Sequence, residues 1–396
     1  MILALVGLFS TAQALEAGPY EVSGRYVTFH DDAAGEVEVK VHYPAVSSAS
    51  ASDADSDSGP FPVAAFLHGW LGSAWMYDDF CNHLASQGFV VVNMNTQNGL
   101  FMNTDAFALD TQAAFHWLEG ESAKEASWLF GMASDDDWTA LGHSMGGATL
   151  GRLVYLEPRV RTLVGVMPYE GKSRDYDAML DFDGSALYLA GTEDDTSFPS
   201  MVNEWFETPE LASRNLFFNL EGFGHQAVSD FAWGAESVSD REQRDGVSAM
   251  AADFLLAEVY GDEDRYAGLT CDVPATSETE ASRSYSPVTW ARAVDSLTIE
   301  VGLAELEGST ATVFAGYGRG VTRTRTHGPV ELGSAEQVGS VDLSTGIGCT
   351  TVTLPRKFED IAWVQVVYSS EEGRVLGRRV DAFDSGVVGL PLTLVP

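Results

Sequence analysis

From about residue 61 onward, short apolar runs alternate with stretches whose apolar positions recur at helical spacing. Residues 62–67 and 89–94 read as buried strands, and a further short apolar run occupies 137–141. Three more strand runs occupy 160–167, 186–190 and 215–220. Between them, 75–87 and 104–118 carry apolar residues on one helical stripe, the second at Phe107, Leu109, Ala113, Ala114, Trp117 and Leu118. The stretch after residue 147, to about 156, and residues 246–260 are also helix-like. Such alternation predicts a mainly parallel sheet with helices on both faces. In a sheet of that kind the chemistry gathers at the carboxyl ends of the strands.

The flanks carry different patterns. Residues 18–44 alternate in the manner of a β-hairpin, with the turn at 31–35. Residues 46–59 are a polar low-complexity loop. Residues 272–287, rich in Ser, Thr, Glu and Pro, read as a linker. Beyond it helical patterns vanish. Short strand candidates recur at 296–302, 310–315, 321–326, 338–343, 350–354, 361–368 and 375–380, which predicts a small β-sandwich over 288–396. The expected organisation is therefore an α/β domain over 18–271, a linker over 272–287, and an all-β C-terminal domain over 288–396.

Composition narrows the partners. The chain of 396 residues has a formal net charge of −36, and its lysines are Lys40, Lys124, Lys172 and Lys357. Such a surface repels nucleic acid and anionic membranes. Residues 1–14 form a short apolar run ending in Ala12-Gln13-Ala14, a signal-peptide cleavage pattern that lacks a basic start. Export follows as the expectation, with no membrane anchor. Of the three cysteines, Cys81 lies in a helical apolar pattern, while Cys271 and Cys349 are a possible pair. No spacing of cysteine and histidine suggests zinc.

The strongest chemical signal is Gly142-His143-Ser144-Met145-Gly146-Gly147. A strand, a tight glycine-rich turn and a helix frame a G-x-S-x-G nucleophile elbow. A serine hydroxyl needs a general base, and the base needs an acid to hold its tautomer. In the α/β-hydrolase arrangement both follow the serine, in loops after later strands. The loop after 186–190 offers Glu193, Asp194 and Asp195, and spacing does not choose between the last two. The loop after 215–220 offers His225, behind the turn Gly222-Phe223-Gly224. His30, His42, His83 and His116 precede the nucleophile, and His327 lies in the tail. An oxyanion needs aimed donors. The expected ones are the backbone N–H groups of Met145 and of Trp70, the latter in the loop His68-Gly69-Trp70-Leu71-Gly72.

These pieces resemble the bacterial cutinase and polyester hydrolase family, which includes poly(ethylene terephthalate) hydrolases. The elbow matches the family's G-[HW]-S-M-G-G in its cutinase-like form. Leu84-Ala85-Ser86-Gln87-Gly88-Phe89-Val90-Val91 is similar to L-A-S-x-G-F-V-V. Glu193 to Pro199 looks like the acid loop E-N-D-x-x-A-P, and Gly222 to His225 like the histidine turn G-x-S-H. Asp264-Arg265-Tyr266 with Cys271 matches a D-x-R-Y segment followed by cysteine. The likeness covers about residues 20–271.

The resemblance implies an α/β-hydrolase fold and a serine ester hydrolase without a cofactor. It selects Asp195 as the acid beside Ser144 and His225. It also implies an aromatic clamp, with Trp70 where the family has Tyr or Phe and Tyr169 where it usually has Trp. With His143 and Phe198 added, Trp70 and Tyr169 are the expected substrate contacts, the substrate being an ester or polyester; the sequence leaves the oligomeric state open, with a monomer favoured. The rival readings are a lipase or acetylhydrolase with the same triad, and a non-catalytic binding protein on the same scaffold. For the C-terminal region a polymer-binding module competes with a structural cap.

Overall fold

The computed structural model describes residues 15–47, 53–134, 137–209, 214–220, 222–231, 236–262, Arg265, Leu269 and a series of strands between Ser282 and Leu394. The expected leader over 1–14, Cys271 and the linker to residue 281 lie outside the described residues.

Nine strands form one sheet in the order β1-β2-β4-β3-β5-β6-β7-β8-β9. The opening hairpin is β1 (Val22–Asp31) and β2 (Gly35–Pro44), paired antiparallel. β2 joins β4 (Val90–Met94) antiparallel. From there β4, β3 (Val63–Leu67), β5 (Trp138–His143), β6 (Val160–Val166), β7 (Ser185–Gly191) and β8 (Arg214–Leu220) run parallel. β3, β4, β5 and β7 are buried along their whole length. That explains their unbroken apolar runs, since a parallel sheet is covered on both faces.

The helices are α1 (Asp78–Ser86, preceded by a 3-10 turn at Ala74–Tyr77), α2 (Thr104–Ser122), α3 (Met145–Leu156), α4 (Ser173–Leu180), α5 (Pro199–Glu207) and α6 (Asp240–Tyr260). Alternate strand residues feed two cores. Phe66, Val91, Leu141, Val164, Leu187 and Phe218 face α1 and α6 through Phe80, Leu84, Val247 and Phe254. Their neighbours Ala65, Leu67, Val92, Ala140, Leu163 and Ala186 join Phe107, Leu118, Leu150, Leu153 and Trp205 of α2, α3 and α5. Period-two alternation splits a strand's side chains in this way.

Three features depart from the linear pattern. α6 begins at Asp240 rather than near 246, because Ser239 accepts from the Glu242 N–H in a capping box. α4 and α5 were not anticipated; α4 buries only Asp175 and Met179, and α5 only Val202, Trp205 and Phe206. α5 is marked only by Pro199 at its first turn. Finally Ser282–Tyr285, read as linker from its composition, is strand β9, antiparallel to β8 at the sheet edge. An edge strand needs backbone pairing more than an apolar sequence, so composition does not separate it from a linker.

Beyond β9, every strand pairing among the described residues is antiparallel. The strands β10 to β19 form sheets of three, five and two strands. Their positions follow the predicted runs closely, for example Thr310–Gly316, Cys349–Thr353 and Trp363–Ser370. No helix among the described residues is long and apolar enough to cross a membrane.

Candidate active site

Four strand ends meet at one edge of the sheet. β5 ends at His143, and the next residue, Ser144, turns the chain into α3 with φ 51° and ψ −116°. That is a strained conformation for a residue with a side chain. The packing around it requires two of the glycines. A Cβ on Gly146 would lie 2.0 Å from the Leu67 carbonyl oxygen, and one on Gly142 would lie 2.5 Å from the Gly146 backbone. With bare backbone at both points, the elbow seats directly against the end of β3.

Loops after β7 and β8 reach Ser144 from the other side. The Ser144 hydroxyl donates to His225 Nε2 at 2.9 Å. His225 Nδ1 lies 2.8 Å from Asp194 Oδ2, so its N–H donates to that carboxylate. The second oxygen, Oδ1, accepts the backbone N–H groups of Thr196 and Ser197, both at 2.8 Å. The Asp194 side chain is fully buried. Both of its oxygens are therefore hydrogen-bonded, as a buried carboxylate requires.

The carboxylate that meets His225 is thus Asp194, where Asp195 was expected. A turn closed by the Asp194 N–H on the Gly191 carbonyl, 3.2 Å, carries Asp194 back over the sheet. The next side chain then faces solvent. Asp195 is exposed, and its nearest polar partner is the Thr196 hydroxyl at 3.3 Å. The spacing to the preceding strand is identical for two adjacent residues to within one step. Only the turn geometry separates them.

The remaining expected residues divide into rim and interior. Trp70 is 56% exposed, and its indole N–H donates to the Leu100 carbonyl at 3.0 Å. Phe198 is 54% exposed, at the end of the acid loop. Tyr169 is half-buried beside the nucleophile, its N–H donating to the Ser144 carbonyl at 2.9 Å. Trp205 on α5 holds that segment by donating to the Tyr169 carbonyl at 2.9 Å. Met145, first residue of α3, follows the nucleophile with its N–H at the helix start. His143 does not line the surface. Its ring is buried, with one nitrogen 2.9 Å from the Tyr77 hydroxyl and the other 2.7 Å from the His225 carbonyl. The ring expected as a substrate contact thus has both nitrogens engaged inside the protein.

Tyr77 is the neighbour that sequence reading missed. It sits at the end of the 3-10 turn before α1 and is buried against Phe66, 4.7 Å between ring centroids. Its hydroxyl accepts the Gly69 N–H at 3.2 Å. The apolar periodicity at 75–87 marks Tyr77 as core, and nothing in it distinguishes a packed phenol from a wired one. Cys81, on the same helix, is a buried free thiol whose pKa burial raises well above the ordinary range. Among the described residues no cluster of His, Cys, Asp or Glu is arranged to hold a metal ion.

A stretch of 125 residues is 29% identical to Chlorophyllase-1 of Arabidopsis thaliana, covering 30% of this chain and 38% of that protein. The chain thus spans well under half the length of this curated relative. The family model described as PET hydrolase-like matches residues 9–210. Those residues carry the elbow, the acid loop and every strand from β1 to β7, and they stop short of His225, which the fold itself brings to Ser144. With more than half its length matched and the sheet order and elbow in place, the chain belongs to the PET hydrolase-like family of α/β-hydrolases.

Proposed function

We propose that the protein is a serine ester hydrolase of the cutinase and polyesterase type. The observation that carries this reading is the unbroken chain from the Ser144 hydroxyl through His225 to Asp194, with both links under 3 Å. Ser144 attacks the ester carbonyl carbon while its proton passes to His225 Nε2. Asp194 holds the Nδ1–H tautomer and stabilises the imidazolium. The carbonyl oxygen, now negative, is held by the N–H groups of Met145 and Trp70. His225 then gives its proton to the departing alkoxide, leaving an acyl-enzyme on Ser144. Water, deprotonated by His225, repeats the attack and releases the acid.

Trp70, Tyr169 and Phe198 supply apolar surface around the serine, and an uncharged ester suits a site on so acidic a protein. The similarity to Chlorophyllase-1 favours a second reading, in which the same triad acts on small or lipid esters. Rates on short-chain, long-chain and polymeric esters separate the two. For the triad itself, Ser144→Ala is expected to remove p-nitrophenyl ester hydrolysis and fluorophosphonate labelling while the thermal melt stays near wild type. Retention of wild-type turnover in that variant would refute the assignment.

A further inference from the structure

Three loops must keep their places for the chemistry above, and a single buried chain of hydrogen bonds touches all three. The His225 carbonyl oxygen can only accept, so the His143 nitrogen 2.7 Å from it, Nε2, carries a hydrogen. In a neutral imidazole the other nitrogen is then an acceptor. Nδ1 faces the Tyr77 hydroxyl at 2.9 Å, so the phenol donates to it. The phenol oxygen is left to accept, and the Gly69 N–H supplies that bond at 3.2 Å. Each polarity determines the next, and all three agree.

The ends of this chain are informative. Gly69 immediately precedes Trp70, whose N–H is the oxyanion donor proposed above. His143 immediately precedes the nucleophile. The far end is the main chain of the general base itself. Asp194 holds the His225 ring, whereas His143 holds the His225 backbone. A Cβ on Gly69 would come within 3.0 Å of His143 Nδ1 and 3.2 Å of the Ser144 Cβ, so the loops are in direct contact.

We infer that Tyr77 and His143 form a positioning relay that sets the oxyanion loop and the base loop in register about the nucleophile. Neither residue touches the reacting atoms. The inference rests on the serine esterase reading. The relay needs His143 neutral, and burial, followed by the nearby His225 ring, pushes its pKa down to about 3. Burial also raises the Tyr77 phenol well above its ordinary range, so it stays a donor.

The test uses the full chain as wild type, Tyr77→Phe, His143→Leu and the double variant, with a p-nitrophenyl ester. Each single change is expected to lower kcat roughly 10- to 100-fold, as sub-ångström misplacement does, with KM within about threefold. The double variant is expected to be no slower than the worse single one, because both remove one device. Wild-type kcat in Tyr77→Phe, or two losses that simply multiply, overturns the proposal. A second measurement does not depend on turnover. In 15N-histidine spectra of the wild type, His143 is expected as the neutral Nε2–H form across pH 5–8. An Nδ1–H tautomer or a protonated ring there also overturns it. A wild type with neither turnover nor labelling at Ser144 marks failure of the esterase reading instead, and this proposal goes with it.

Discussion

Asp194 and Asp195 are chemically identical neighbours with opposite surroundings. One carboxylate is buried and holds three hydrogen bonds; the other is exposed. The consequence is measurable. Asp194→Asn keeps a carbonyl oxygen for the Thr196 and Ser197 N–H groups, but presents an amide to His225 and disturbs its tautomer. A fall in kcat of up to about 10⁴-fold is expected, by analogy with other triads. Asp195→Asn is expected to stay within about twofold, since exposed substitutions without a partner change little. Kinetics of the two variants, measured side by side, decide it, and the reverse ranking would return the acid role to Asp195. The carboxylate that meets His225 was legible in the sequence only as a choice within one loop. Ser144 and His225, which meet at 2.9 Å, were each legible individually, because a glycine-rich turn after a strand leaves few geometries open.

At the scale of elements, buried polar pairs tie strands to helices. His42 of β2 is buried between α1 and β4. Its Nδ1–H donates to the Asn82 side-chain oxygen at 2.8 Å, and its Nε2 faces the Asn93 amide at 3.5 Å. Burial pushes its pKa down to about 4; Lys40 pushes the same way, against the Asn82 bond and Asp78. The unfolded chain, with an ordinary imidazole near 6.5, binds that proton first. The stability contributed by neutral His42 is therefore complete above about pH 6.5 and lost as pH falls toward 4. His42→Gln keeps a donor and an acceptor but cannot titrate. Its melting temperature is expected to fall less steeply than wild type between pH 6.5 and 4.5. Parallel melts check this, and identical slopes would show that His42 does not titrate on unfolding. Element positions themselves were mostly readable from periodicity. The exceptions were α4 and α5, which bury only two or three residues each, and β9, an edge strand that needs backbone pairing more than apolar side chains.

For the whole molecule, a net charge of −36 dominates the long-range electrostatics. That figure already counts the cations held in local pairs such as Lys40–Asp78 and Arg265–Asp253. Self-repulsion of that kind favours expansion, and salt screens it. Melting temperature is expected to rise by roughly 5 °C between about 0.05 M and 1 M NaCl, equivalent to about 2 kcal/mol. Scanning fluorimetry across that range checks it; a flat or falling trend would mean that local ion pairs outweigh the net repulsion.

The linear pattern carried the α/β layering, the hairpin that opens the sheet, the spacing of the tail strands and the nucleophile elbow. These depend on periodicity and on local turn chemistry, which neighbouring residues specify among themselves. The elbow's strain, the choice of Asp194, the inward turn of His143 and its link to Tyr77 were decided only in three dimensions. Ser144 and His225 lie on separate strand ends, and Tyr77 lies before a helix in yet another crossover. Contacts between such distant segments exist because the sheet stacks its strand ends side by side. No local pattern along the chain encodes which side chains then face one another.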